Sequence, residues 1–198
     1  KGAVQGANCS AGLVGTAYGK LTVNDSYNEG DITNSYGNYV AGLVGRDGTN
    51  NGSITINNSY NTGTISGKRY IGGLVGYFGL GKQGNLYINN CYNTGEIINT
   101  ERPSALAYIG GILGIAYNAA NEVRITNSYN SASMNIGTST YEAIVGGIVG
   151  ESQSQNASII NCYNVGDIEA GYVGGLVGLI SGSTGDILIY KGEQYAWW

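Results

Sequence analysis

Two short motifs alternate along this chain at a nearly fixed interval, and that recurrence constrains the fold more than any other feature. The first is Gly-Leu-Val-Gly or a close variant after a small residue, at Ala11–Gly15, Ala41–Gly45, Gly72–Gly76, Gly110–Gly114, Gly146–Gly150 and Gly174–Gly178. The second is Asn-(Ser/Cys)-Tyr-Asn, at Asn58–Asn61, Asn90–Asn93, Asn127–Asn130 and Asn161–Asn164, with Asp25–Asn28 as a variant. Successive tyrosines Tyr27, Tyr60, Tyr92, Tyr129 and Tyr163 lie 33, 32, 37 and 34 residues apart. Self-similarity at such a period marks a solenoid or a propeller, in which a unit buries its apolar face only against its neighbours.

Each repeat reads as three strands. Alternating pairs (Leu21 and Val23, Ile54 and Ile56, Leu86 and Ile88, Val123 and Ile125) precede the tyrosine motif, the pattern of a strand with one buried face. A turn follows at Gly30, Gly63, Gly95 or Gly166, then Ile32, Ile65, Ile97 or Ile168; Ala132 and Met134 take these places in the fourth copy. The third strand is Tyr-Ile-Gly-Gly-Leu-Val-Gly and its relatives. A propeller blade needs four strands in about 40–45 residues, and the spaced leucines of a leucine-rich repeat are missing. The sequence therefore predicts an all-β chain, a right-handed parallel β-helix (β-solenoid) of about six rungs of three strands. Identical positions then form columns. Asn28, Asn61, Asn93, Asn130 and Asn164 are expected to hydrogen-bond along the axis, with the tyrosines stacked beside them.

Composition narrows the function classes. The 198 residues include 35 Gly, 17 Tyr, one Pro and no His, with 42% hydrophobic residues, which excludes both a helical protein and a disordered linker. A net charge of −4 and only nine Lys or Arg argue against nucleic acid, whose phosphates need clustered basic side chains. No apolar run approaches the about 20 residues of a membrane-spanning helix. The chain starts inside a repeat, which reads as a piece of a longer protein.

The two motifs together resemble the GLUG repeat of bacterial surface proteins, named for its Gly-Leu-Val-Gly-like core. The resemblance runs from Gly2 to about Ile189, and the family's Asn-Cys-Tyr element stands intact at Asn90–Tyr92 and Asn161–Tyr163. It implies an extracellular protein, secreted or on the bacterial cell surface, of the adhesin-like kind. Some immunoglobulin A-cleaving zinc peptidases carry the same repeat, but their chemistry sits in a separate His-Glu-x-x-His domain and is not carried over to a chain without His. Residues 1–190 are expected to form the solenoid, and residues 191–198 a C-terminal cap or the start of a following domain.

Catalytic groups are not expected. Cys91 and Cys162 share a column with Ser26, Ser59 and Ser128 two rungs apart, too far to pair, and Cys9 lies on another face. The absence of His leaves no base for a nucleophilic Cys and no zinc set. The carboxylate pairs Glu29 with Asp31 and Asp167 with Glu169 flank turn glycines and support the alternative reading, a carbohydrate-active enzyme using corner carboxylates. Their simpler reading is a solvent-facing corner, with Asp31, Glu96 and Asp167 spread along alternate rungs. No cofactor or metal is expected, since no repeat assembles a calcium shell.

Binding candidates come from two features. Insert segments Lys68–Tyr70, Tyr77–Gln83, Asn99–Tyr108 and Asn135–Glu142 carry Tyr77, Tyr108 and Tyr141, expected to be exposed for stacking on sugars or proteins. Adjacent Leu and Val in Gly-Leu-Val-Gly point to opposite faces of a straight strand. Either the strand bends at Gly or loops cover the second column, or else Leu74 and Ile112 belong to an exposed stripe that docks a partner. The expected partners are a host or cell-surface glycan or protein, or other copies of the solenoid through end-to-end or lateral contact.

Overall fold

The computed structural model describes residues 2–48, 52–80, 83–100, 106–117, 121–136, 143–181 and 187–194. Among them every regular element is a β-strand, and the strands form five parallel sheets of six strands each. The chain visits the five sheets in turn and then starts again one layer up, which makes a β-solenoid. One turn shows the pattern: Ile65–Gly67 in the first sheet, Tyr70–Gly72 in the second, Val75–Phe78 in the third, Asn85–Asn89 in the fourth and Tyr92–Asn93 in the fifth. Equivalent residues are in register, Ile65 beside Ile97, Tyr70 beside Tyr108, Leu86 beside Val123 and Tyr92 beside Tyr129.

Five strands per turn replace the three expected. The Tyr-Ile-Gly-Gly-Leu-Val-Gly segment is two strands, because the chain bends at Gly73-Leu74 and its counterparts. The Tyr-Asn dipeptide is a strand of its own after a left-handed residue: φ is +48° at Asp25, +49° at Asn58, +54° at Asn90, +50° at Asn127 and +52° at Asn161. Asn and Asp adopt this region at lower cost than other side chains, since a short polar group compensates locally. The first Asn of the motif is thus the corner itself.

The bend turns both apolar columns inward. Leu43, Leu74, Ile112 and Ile148 are buried, and so are Val44, Val75, Leu113 and Val149; all join one core with Ile54, Ile56, Leu86 and Ile88 of the fourth sheet. A second core lies between the first two sheets, around Ile32, Ile65, Ile71, Ile97 and Ile109. Between the cores the second and third sheets approach backbone to backbone. A Cβ on Gly114 would stand 2.4 Å from Gly76 O and 2.8 Å from Ile71 O, so only glycine permits this approach.

The two repeat motifs coexist because they touch. A Cβ on Gly73 would fall 2.7 Å from the Asn93 side chain and 1.8 Å from Gly111 O. Gly42, Gly111 and Gly147 meet Asn61, Asn130 and Asn164 in the same way. The space that glycine vacates holds a buried amide ladder. Asn28 Nδ2 donates to Asn61 Oδ1 at 2.7 Å, Asn61 to Asn93 at 2.8 Å, Asn93 to Asn130 at 2.9 Å and Asn130 to Asn164 at 2.7 Å. Each Nδ2 also donates to the carbonyl two residues on, so the corner's backbone is satisfied without water.

The repeat backbone runs past its last recognisable motif. Ile187–Tyr190 pairs with Asn156–Ile160, Lys191 takes the corner φ of +49°, and Glu193–Gln194 pairs with Tyr163–Asn164. Backbone pairing thus continues past Lys191, because it needs the corner geometry and not the motif's side chains. Residues 195–198 lie outside the described part.

Candidate functional site

The candidate binding face is where the fourth and fifth sheets meet. Along the fourth sheet, residues alternate between core and surface, and the outward positions carry Tyr87 beside Arg124 and Asn89 beside Thr126. With Ile88, Asn127, Ile160 and Asn161 they line an open cleft of about 510 Å³. Tyr87 Oη donates to Glu122 Oε2 at 2.7 Å, and this bond, ahead of desolvation, raises the phenol's pKa. Arg124 is exposed and has no ion pair among the described residues. Outer asparagines bridge the rungs: Asn58 donates to Asp25 at 3.0 Å and Asn161 to Asn127 at 3.1 Å.

Beside this cleft runs the tyrosine column, whose direction the sequence left open. The structure turns it outward. Rings of Tyr27, Tyr60, Tyr92, Tyr129 and Tyr163 stack with centroids 5.1, 4.7, 5.0 and 5.0 Å apart and interplanar angles of 7° or less. Desolvation, then the neighbouring phenols, raise the pKa of Tyr60 and Tyr129, so their hydroxyls stay neutral donors and acceptors. The face therefore presents phenols, amides, a hydroxyl and one guanidinium in regular rows. That inventory suits polyhydroxylated ligands, which need donors, acceptors and flat apolar surface together.

The residues singled out in the sequence fare differently. Leu74 and Ile112 are both 0% exposed, so they form no docking stripe: the straight-strand rule fails where the chain bends at glycine. Tyr77, expected to be exposed, is also buried, edge-on to Tyr39 and Tyr70 at 5.3 and 5.2 Å and stacked on Tyr117. Burial holds its phenol far above the usual range. It sits in the third sheet rather than in a loop, packed across the narrow angle to the second sheet. Tyr108 is half-buried, stacked on Tyr70 at 5.6 Å. Tyr141 lies outside the described residues, as do residues 81–82, 101–105 and 137–142 of the insert segments.

The carboxylates separate less than expected. Asp31 Oδ1 accepts the Thr64 amide at 3.0 Å, away from the others. Glu96, Asp167 and Glu169, however, line one cleft of about 340 Å³ with Ser133, Met134, Asn135 and Ile136 of the intervening rung. No three His, Cys, Asp or Glu among the described residues converge as a metal-binding group. Cys9, Cys91 and Cys162 are free thiols, and burial pushes Cys91 and Cys162 up to about 11. They fill the column where Ser59 and Ser128 stand in other rungs.

Tyr87 and Arg124 are not among the residues singled out in the sequence, since the outward column Thr22, Thr55, Tyr87, Arg124 and Ser158 repeats no motif. Mixed chemistry in adjacent rungs is what builds a cleft. The signal was the one aromatic and the one cation at successive outward positions of a column otherwise made of small hydroxyl residues. Comparison with known protein families and with curated protein sequences gives no match.

Proposed function

We propose that this chain is a non-catalytic structural and adhesive module of a bacterial cell-surface or secreted protein, a GLUG-type solenoid that acts as a stiff spacer and binds through its sides. The reading rests first on the continuous columns: a buried amide ladder and a stacked tyrosine ladder both span five rungs, which couples each layer to the next and resists bending. The cleft of Tyr87 and Arg124 supplies a lateral surface suited to a glycan or to a polar protein surface. An array of host and cell-surface glycans and proteins tests it. Binding without cleavage, weakened by Tyr87→Ala or Arg124→Gln, supports adhesion; silence on every probe removes adhesion and leaves the spacer.

A second reading is favoured by one observation, the convergence of Glu96, Asp167 and Glu169 on a single cleft. A carbohydrate-active enzyme needs two carboxylates across a scissile bond. Glu96 and Asp167 stand two layers apart, on the order of 9–10 Å at β-sheet spacing. Cleavage of a bound polysaccharide, abolished by Asp167→Asn, establishes this reading over the first.

A further inference from the structure

A third cleft, of about 290 Å³, opens where the tyrosine stack of the second sheet ends. Tyr39, Tyr70 and Tyr108 stack in register, but the rung below offers Cys9 in place of a fourth ring. The Arg46 guanidinium lies 4.8 Å from the Tyr39 ring centre. Among the described residues its hydrogen bond is a long one, 3.5 Å from Nε to Thr16 Oγ1, and no carboxylate pairs with it. The adjacent carboxylate, Asp47, is buried and accepts the amides of Gly79 at 3.2 Å and Leu80 at 3.1 Å. Burial raises the pKa of the Cys9 thiol, so that wall adds no negative charge. Arg46 is thus a fork of donors with spare capacity beside an aromatic ring.

The loop that carries Tyr36 and Gly37 into the cleft lining is held in place. Buried Asn34 accepts the Gly37 amide at 2.6 Å and the Tyr36 amide at 3.3 Å, and donates to Tyr39 O at 3.2 Å. A Cβ on Gly37 would stand 2.3 Å from Asn8 O, so glycine lets this loop close on Asn8. The result presents Tyr36, 83% exposed, and the side-chain amides of Asn8 and Asn38 on the same cleft as Arg46. We propose that Asn8, Cys9, Tyr36, Asn38, Tyr39 and Arg46 form a binding site for an acidic oligosaccharide, with a uronic acid ring as the recognised unit. Arg46 takes the carboxylate in a two-pronged contact, Tyr36 covers the sugar's C–H face, and the amides pair with hydroxyls as donors and acceptors. The assignment rests on the adhesive reading above and names its ligand class.

Calorimetric titration of the full chain with trigalacturonate and with the neutral galactose trisaccharide tests this, at two salt concentrations. The acidic sugar is expected to bind about tenfold or more tightly than the neutral one, as one charge-assisted contact predicts, and to weaken as salt rises. Arg46→Gln should erase that preference, and Tyr36→Ala should weaken binding about tenfold, while Lys20→Gln, an exposed cation outside the clefts, leaves it intact. Circular dichroism checks folding, and Tyr36, being exposed, carries the test if Arg46→Gln unfolds. Equal affinity for both sugars, or full affinity in both cleft variants, overturns the proposal. Loss in Arg124→Gln alone moves acidic-glycan binding to the lateral face and leaves the adhesive reading standing. No binding of trigalacturonate by a chain that binds other probes overturns this proposal alone; silence toward every probe overturns the adhesive reading with it.

Discussion

Replacing Asn93 by Ala tests whether the buried amide ladder holds the column together. Its Nδ2 donates to Asn130 Oδ1 at 2.9 Å and Gly95 O at 3.1 Å. Its Oδ1 accepts Asn61 Nδ2 at 2.8 Å and the Gly95 amide at 3.3 Å. The side chain is 0% exposed, so water cannot replace these bonds without opening the corner. Asn61 keeps its bond to Gly63 O, and Asn130 Oδ1 keeps the Ala132 amide. The penalty therefore falls mainly on the Gly95 N–H and C=O, each left unsatisfied at about 1–3 kcal/mol. With the gap in the ladder, the expected loss is about 3–5 kcal/mol, a large share of the roughly 5–15 kcal/mol of a typical domain. Urea unfolding followed by circular dichroism measures it, with native-state hydrogen exchange to localise the defect, since solenoids fail rung by rung. The exposed neighbour Thr94→Ala serves as the control, expected within about 0.5 kcal/mol of wild type. A loss below about 1 kcal/mol for Asn93→Ala would refute the reasoning and make the ladder incidental to stability.

Gly73→Ala should destabilise severely, because its Cβ would lie 1.8 Å from a backbone oxygen, whereas Gly2→Ala meets nothing within 4 Å and should melt like wild type. Tyr92→Ala removes two ring-stacking contacts, to Tyr60 and Tyr129, and should cost about 1–3 kcal/mol, read by chemical denaturation. Cys91 and Cys162 should resist thiol reagents in the folded state and react on unfolding. Their folded pKa, raised from the ordinary 9.0 to about 11, means that the unfolded chain loses these protons first, so stability should fall as pH rises from 9 to 11. Cys91→Ser should abolish that thiol's part of the pH dependence while costing under about 1 kcal/mol, since Ser59 and Ser128 already occupy the column.

Much of the architecture was legible because a repeat protein writes its fold once per turn. Recurrence of Tyr60, Tyr92 and Tyr129 at near-constant spacing required stacked equivalent positions, and the apolar alternation of Leu86 and Ile88 identified the fourth sheet's inner face. The asparagine column followed from the same logic, since identical amides one strand apart can bond along the axis. Of the candidate site less was visible. Tyr77 was misplaced because it was read as part of an insert segment and not of a strand, whereas for Leu74 and Ile112 the bend at glycine, one of the readings the sequence left open, is the one the fold adopts.

Sequence alone thus determined that the chain stacks in parallel layers, which residues share a column, and that no histidine is available for catalysis. Only the tertiary structure decided where the chain bends, that the second and third sheets close on each other through glycine, and which columns face water. Column membership is a property of spacing along the chain, whereas facing depends on the sum of backbone angles around a whole turn. The clefts at Tyr87 and Arg124 and at Tyr36 and Arg46 arise from that sum, across residues that no single motif contains.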